Sequence, residues 1–354
     1  MMLLSTIALL WSCSGKKYAY PETAKVDTVD DYFGTKVPDP YRWLENDTSA
    51  ETSAWVKAQN ALTQEYLNQT PFRDKLKARL TKIWDYPKFG TPWSKKGNYF
   101  YFKNDGMQNQ SVLYVQKGLD GEAKVLLDPN KLSADGTVAL GPMSVSNDGK
   151  YLAYATSNAG SDWSEIFVLE IETGKLLPDH IMWVKFSGMS WKGNGFYYSR
   201  YAAPEAGKEL SNKNEFHKVY FHVLGENPEK DALVWEDTKN PLRTFGAGVT
   251  EDERFLIISE SESTYGNIMH IKDLQNPNAG FVKIGQNFEH EYNLVDNVGD
   301  KLYVITDHLS PRKKLVLIDP KKPSPEAWHT VIPEKEQVLE GVYVVGNKLV
   351  SQYM

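Results

Sequence analysis

The sequence predicts a mainly β fold assembled from repeated small sheets, with a short helical segment in front of them. First, a polar turn leads six times into a run of aromatic and branched residues: Lys96-Gly97-Asn98-Tyr99-Phe100-Tyr101-Phe102, Asp148-Gly149-Lys150-Tyr151-Leu152-Ala153-Tyr154, Gly193-Asn194-Gly195-Phe196-Tyr197-Tyr198, Asp252-Glu253-Arg254-Phe255-Leu256-Ile257-Ile258, Gly299-Asp300-Lys301-Leu302-Tyr303-Val304-Ile305 and Gly346-Asn347-Lys348-Leu349-Val350-Ser351. Second, these copies recur about every fifty residues. Third, Tyr, Phe and Trp make up 12% of the 354 residues, a bias that suits strands better than helices. A period of about forty to fifty residues built from strands is the spacing of β-propeller blades, small sheets that bury their faces only by stacking on neighbours.

Each element follows in order. Asp47, Thr48 or Ser49 is placed to cap a helix with Trp55, Ala58, Leu62 and Tyr66 on one face. Thr70-Pro71 then offers an N-cap and a proline at the first helical position of a second helix carrying Phe72, Leu76, Leu80 and Ile83, which Pro87 stops. From Tyr86 onward the pattern is strand and turn. Five of the opening strands are followed by a second hairpin: Ser111 to Leu127, Glu165 to Leu177, Lys218 to Trp235, Ile268 to Ile284 around Pro277-Asn278, and Leu315 to Ile332. Each period therefore holds about four strands, one blade's content. About five blades and part of a sixth are expected between Tyr86 and Met354; a β-sandwich would not repeat as a group at this period. The predicted divisions are residues 1–17, a helical segment over 18–85, and a partial propeller over 86–354.

Composition narrows the partners. The net charge of -6 carries no basic block, which argues against a nucleic-acid backbone as ligand. No internal stretch approaches a membrane span. The apolar run Met2 to Trp11 is too short to span, and it leads into Leu10-Trp11-Ser12-Cys13 with Cys13 as the only cysteine. This resembles the lipobox of bacterial lipoproteins, which implies a lipidated Cys13 and a periplasmic or membrane-anchored protein of the bacterial envelope. An ordinary secretory signal with an incidental cysteine is the alternative, and no Lys or Arg precedes the apolar run. Either reading implies export, with no disulfide available.

The search for chemistry returns mainly absences. There is no Gly-x-Ser-x-Gly nucleophile elbow, no phosphate-binding glycine loop and no His-Glu-x-x-His zinc helix. Gly160-Ser161-Asp162-Trp163-Ser164 is the nearest elbow look-alike and reads as a polar loop. His217 and His222 are an odd interval apart, so they should face opposite ways and share no metal. Glu289 and Glu291 would share a strand face, as a carboxylate pair acting on a sugar would, though solvated edge charges also account for them. No catalytic group, metal site or cofactor is predicted in the chain.

A long set of ordered motifs resembles the prolyl oligopeptidase family of serine peptidases. It includes Asp39-Pro40-Tyr41-Arg42-Trp43-Leu44-Glu45, Ala58-Gln59-Asn60, Asp85-Tyr86-Pro87-Lys88, Gln108-Asn109-Gln110, Leu127-Asp128-Pro129-Asn130, Asp135-Gly136-Thr137-Val138-Ala139-Leu140, Gly160-Ser161-Asp162-Trp163 and Val184-Lys185-Phe186-Ser187. The resemblance runs from about Tyr18 to the end. It implies an incomplete seven-bladed propeller, helices that would pack on an α/β-hydrolase domain absent from this chain, and a catalytic triad located in that domain. It also implies hydrolysis of short proline-containing peptides after proline, with the propeller gating access. By the same resemblance Phe186 faces substrate, although a blade-core role is the alternative, and Asp162 and Trp163 lie on a loop facing the same cavity. The sequence departs at Ser259-Glu260-Ser261-Glu262-Ser263-Thr264, where an Arg and a Cys are missing, and at Gly141, where an Arg is common. A non-catalytic propeller that binds peptides or a partner protein is the other reading.

Overall fold

The computed structural model describes residues 18–276 and 278–354. The signal or lipobox assignment over 1–17 with Cys13, and Pro277 of the predicted turn, lie outside the described residues. The chain divides into two compact bodies, one ending at Asp85 and one spanning Tyr86–Met354.

In the first body, α1 spans Ala50–Asn68 and α2 spans Arg73–Trp84. Ser49 caps α1, its hydroxyl accepting from the Thr52 N–H at 3.0 Å. The Trp55 indole N–H donates to Thr23 at 2.9 Å, and Tyr18 packs edge-on to Tyr66 with ring centroids 5.4 Å apart. The extended segment before α1 thus partly shields Trp55, while Ala58 and Tyr66 of the same face stay exposed. The expected start of α2 is corrected: Phe72 holds the N-cap position without a side-chain bond, and Pro71 lies in the preceding turn. Thr70 contributes its carbonyl, which accepts from the Arg73 N–H at 3.1 Å. Phe72, Leu76, Leu80 and Ile83 are all exposed in this body.

The second body is a succession of antiparallel strand groups. The first contains Lys88–Phe89, Trp93–Lys95, Asn98–Asn104, Val112–Lys117 and Ala123–Leu127. Its first, edge strand is split in two around Pro92, which has no N–H to give to a ladder. The second contains Val138–Val145, Tyr151–Asn158, Ser164–Glu170 and Leu176–Val184, and the third contains Ser190–Lys192, Gly195–Arg200, Lys218–Val223 and Ala232–Glu236. The fourth contains Thr244–Val249, Phe255–Ser261, Ile268–Asp273 and Val282–Ile284. The fifth contains Tyr292–Val298, Lys301–Thr306, Lys314–Ile318 and His329–Ile332, and the pair Leu339–Val345 and Lys348–Tyr353 follows. One feature departs from separate sheets: the second and third groups are continuous through a single pairing, Val184 with Arg200.

Apolar clusters form between successive groups, because alternate residues of a strand point to opposite faces. Leu152 and Tyr154 pack back on Phe100 and Leu113 of the first group. Ala153 and Ala155, from the same strand, pack forward with Trp191, Phe196 and Tyr198 of the third. Tyr197 and Val219 meet Phe245, Leu256 and Ile258; Ile257 and Met269 meet Leu302 and Val304; Ile305 and Leu315 meet Leu339 and Val342. Each fully buried aliphatic or aromatic side chain contributes about 1.5–3 kcal/mol of transfer free energy.

The repeated turns join the first and second strands of each group, and a left-handed residue recurs in them: Gly97, Gly149, Gly193, Glu253, Gly299 and Gly346 all have positive φ. Gly149 (φ +76°) is doubly constrained, since a Cβ there would lie 2.8 Å from the Lys96 Cβ in the turn of the first group. Gly174 (φ +68°) has open space around it. Gly149→Ala is therefore expected to be destabilised by about 1–2 kcal/mol for the left-handed backbone and further by the clash with Lys96. Gly174→Ala should be destabilised by the backbone alone, so urea midpoints that fail to separate the two variants would contradict this packing.

Candidate functional site

Antiparallel pairing fixes which residues meet at the ends of the strands. The repeated turns gather at one end, whereas the loop after each second strand and the link to the next group gather at the other. Asp162 and Trp163 lie in the loop between Tyr151–Asn158 and Ser164–Glu170, and Phe186 lies in the link after Leu176–Val184. All three therefore belong to the same end.

The structure brings Trp163 and Phe186 together through Lys185. The Lys185 ammonium lies 4.2 Å from the Trp163 ring centroid and 6.0 Å from that of Phe186. Trp163 is half-buried, donates its indole N–H to the Glu209 carbonyl at 2.6 Å, and stands edge-on to Trp183 and Tyr201. Beside it lies a cavity of about 400 Å³ lined by Tyr154, Phe167, Leu176, Met182 and Trp183. Asp162 is exposed. Phe186 is 62% exposed, so the blade-core alternative does not hold for it.

Phe186 is held out by its backbone. Its φ of 54°, with 62° at Trp183, places two aromatic residues in a conformation that L-residues seldom adopt. Hydrogen bonds fix the link. Lys185 supplies its carbonyl to the His217 Nε2–H at 3.0 Å, and the Ser199 N–H donates to the Ser187 hydroxyl at 2.7 Å. His217 Nδ1 accepts from the Phe245 N–H at 2.9 Å, so this fully buried ring is the neutral Nε2–H tautomer. Burial pushes its pKa down to about 4, against a smaller upward effect from the Lys185 carbonyl.

His222 is the opposite case. Its Nε2–H donates to Asp179 at 2.8 Å and its Nδ1–H to Asp231 at 2.9 Å, with all three side chains buried. Burial lowers its pKa, but the hydrogen bonds to Asp179 and Asp231 and their charges outweigh it and push the value up to about 9. Tyr198 donates to Asp231 at 2.8 Å and the Gly225 N–H to Asp179 at 2.6 Å. The two histidines keep separate partners, as the odd interval implied. Sequence spacing gave no sign of this cluster, since Asp179 lies on the preceding strand group.

Other sequence readings are corrected or refined. Glu289 and Glu291 precede the strand Tyr292–Val298, so strand alternation does not pair them. Glu291 pairs with Lys313 at 2.5 Å, while Glu289 accepts from Asn287 at 2.8 Å. In the run from Ser259, Glu260 is buried and accepts from Arg243 and from His270, both at 2.6 Å. At Gly141 a Cβ would stand 3.3 Å from the Ala155 Cβ, leaving little room for a larger residue. Among the described residues no three His, Cys, Asp or Glu side chains are placed to hold a metal, and no helix is long and apolar enough to cross a membrane.

The stacked antiparallel groups define a β-propeller, with aromatic residues presented at one end. The chain belongs to the prolyl oligopeptidase family, whose N-terminal β-propeller domain matches residues 21–354. It is 46% identical over 337 residues to a prolyl endopeptidase of Elizabethkingia meningoseptica, covering 95% of this chain and 47% of that protein. Prolyl oligopeptidase A of Amanita bisporigera is 34% identical, with 93% and 48% covered. Among solved structures, one from a study of two prolyl endopeptidases superposes with a TM-score of 0.84 at 31% identity, covering 95% of this chain and 50% of that one. Prolyl oligopeptidase B from Galerina marginata, bound to a 35mer substrate, gives 0.82 at 30% identity, with 96% and 51% covered. The chain spans about half the length of the curated relatives it matches.

The histidines make opposite demands on pH. His217, neutral when folded, loses stability as pH falls from about 6.5 towards 4, because only the unfolded chain takes up that proton. His222, with a raised pKa, contributes fully below about 6.5 and loses its contribution as pH rises through about 9. Denaturant midpoints should therefore fall on the alkaline side in the native protein. His222→Ala strands two buried carboxylates and is expected to cost about 3–5 kcal/mol; an unaltered alkaline limb in that variant would refute the assignment.

Proposed function

We propose that this chain is the substrate-admitting front part of a serine peptidase that cleaves short peptides after proline. In this reading the five strand groups and the following pair belong to a seven-bladed ring. The catalytic serine, aspartate and histidine reside in a hydrolase body that accounts for the relatives' additional length. The observation that carries the reading is the match of residues 21–354 to about half of each prolyl peptidase relative.

Phe186 supplies an apolar wall for the residue flanking the scissile proline. Its exposure, its left-handed backbone and the hydrogen-bonded Lys185 carbonyl support a side chain presented to a ligand. Asp162 and Trp163 line the approach to the same cavity. The ring narrows access so that unstructured oligopeptides enter and folded proteins do not. Cys13 carries a lipid that holds the protein at the bacterial envelope, which Cys13→Ser and radiolabelled fatty acid would test.

The chain alone should not turn over a chromogenic Gly-Pro amide. Joined to its hydrolase body it should do so, with loss of activity on treatment with a serine-directed inhibitor. Phe186→Ala in the joined protein is expected to raise KM about tenfold, equal to about 1.4 kcal/mol of lost binding, and to leave stability within about 0.5 kcal/mol. Turnover by the chain alone, or an unchanged KM in the Phe186 variant, would overturn the corresponding part of the proposal.

A further inference from the structure

The cavity beside Trp163 is built on one face of the second strand group. In the pairing of Tyr151–Asn158 with Ser164–Glu170, Tyr154 stands directly opposite Phe167, and Phe167 in turn stands opposite His180 of Leu176–Val184. The three rings form a row across the sheet, with centroids 5.8 and 4.6 Å apart and planes inclined by 28° and 11°. The first group packs on this row at Tyr154. Farther out, Leu176 and Met182 line the cavity and are exposed, so it opens to solvent.

Its polar groups are of one kind. Tyr154 lines the cavity and is only 4% exposed, yet its hydroxyl has no hydrogen-bond partner among the described residues. Thr156 follows two positions later on the same face, is 9% exposed, and has an equally unpartnered hydroxyl. The indole N–H of Trp183 is also free among the described residues. A shielded hydroxyl or N–H without a partner is costly, so each of these groups favours a ligand that supplies an acceptor. The one carboxylate in the lining, Glu165, is already paired with His180 at 2.5 Å. Lys185 stands over the Trp163 ring, which disfavours a second cation there.

We propose that this cavity is a docking site for a proline-rich peptide segment in the extended polyproline helix, separate from the wall at Phe186. Proline has no N–H, so such a segment brings carbonyl acceptors and apolar rings, which matches a lining of aromatic rings and free donors. Its conformation is set before binding, so little ordering cost is added on an aromatic surface. The proline rings lie on Tyr154, Phe167 and Trp183, and the carbonyls accept from the Tyr154 and Thr156 hydroxyls. Lys185 turns away cationic sequences. The volume of about 400 Å³ is at the small end of the range for ligand sites, which suits a few side chains of a segment. Phe186 does not line the cavity, so docking needs no scissile bond. The test measures binding without turnover, and a failed cleavage assay leaves the docking site standing.

The test is isothermal titration of the chain with an end-capped oligoproline, with a Gly-Ser peptide of equal length as the control. The oligoproline is expected to bind and the control is not. Tyr154→Phe combined with Thr156→Val keeps the ring and the shape of both side chains while removing the two hydroxyls, and should weaken binding about tenfold. Should that double variant not fold, Met182→Glu serves instead: its position is exposed, and a carboxylate there repels an acceptor-rich ligand, with a loss of similar size expected. Phe186→Ala should bind the oligoproline as the native chain does. Four results would each overturn the docking site: no binding of the oligoproline, equal binding of the Gly-Ser peptide, native affinity in the variant that folds, or loss of binding in Phe186→Ala, which would place the peptide at that wall.

Discussion

No strand group in this protein owns a core; each depends on burying alternate residues against the group before and the group after. The strand Tyr151–Asn158 shows the constraint within four residues, with Leu152 and Tyr154 turned to one neighbour and Ala153 and Ala155 to the other. A sheet buried on both faces must be apolar on both faces, which accounts for the near-continuous runs that mark the repeats. The constraint also sets where variation is allowed. Within the sheets, packing dictates residue type; at the strand ends it does not, and there the chain places its turns, ion pairs and exposed aromatics.

The two ends use this freedom differently. At one end the repeated turns approach so closely that Gly149 has no room for a side chain, and Glu253 occupies a glycine's conformation to reach its neighbours. At the other, Phe186 is pushed into solvent by a link whose carbonyl is held by buried His217. His217 and His222 sit five positions apart, yet their surroundings displace their pKa values in opposite directions. The first meets a carbonyl and an N–H, so burial decides its charge; the second meets two carboxylates, which overcome burial.

Much of the fold was legible because its signals are local. Turn residues followed by alternating apolar residues located the second strand of every group, and the Ser49 cap marked the start of α1. Where the reading went astray, a local signal met a competing one. Pro71 suits a first helical position, yet α2 starts at Arg73. Glu289 and Glu291 have strand spacing but stand just before the strand. Of the candidate site, the loops of Asp162, Trp163 and Phe186 are legible in ordered motifs, whereas the place of Lys185 beside both rings is not, because it depends on a contact between two separate loops.

By itself the sequence determined the repeat, the strand and turn content and the family, because these depend on residues adjacent in the chain or a fixed period apart. Only the tertiary structure decided that Phe186 is exposed, that His222 is held between Asp179 and Asp231, and that Lys95 meets Glu251. Those facts depend on how groups stack, and stacking joins residues whose separation along the chain carries no pattern. Charge, burial and contact distance arise there, and so does the chemistry of the site.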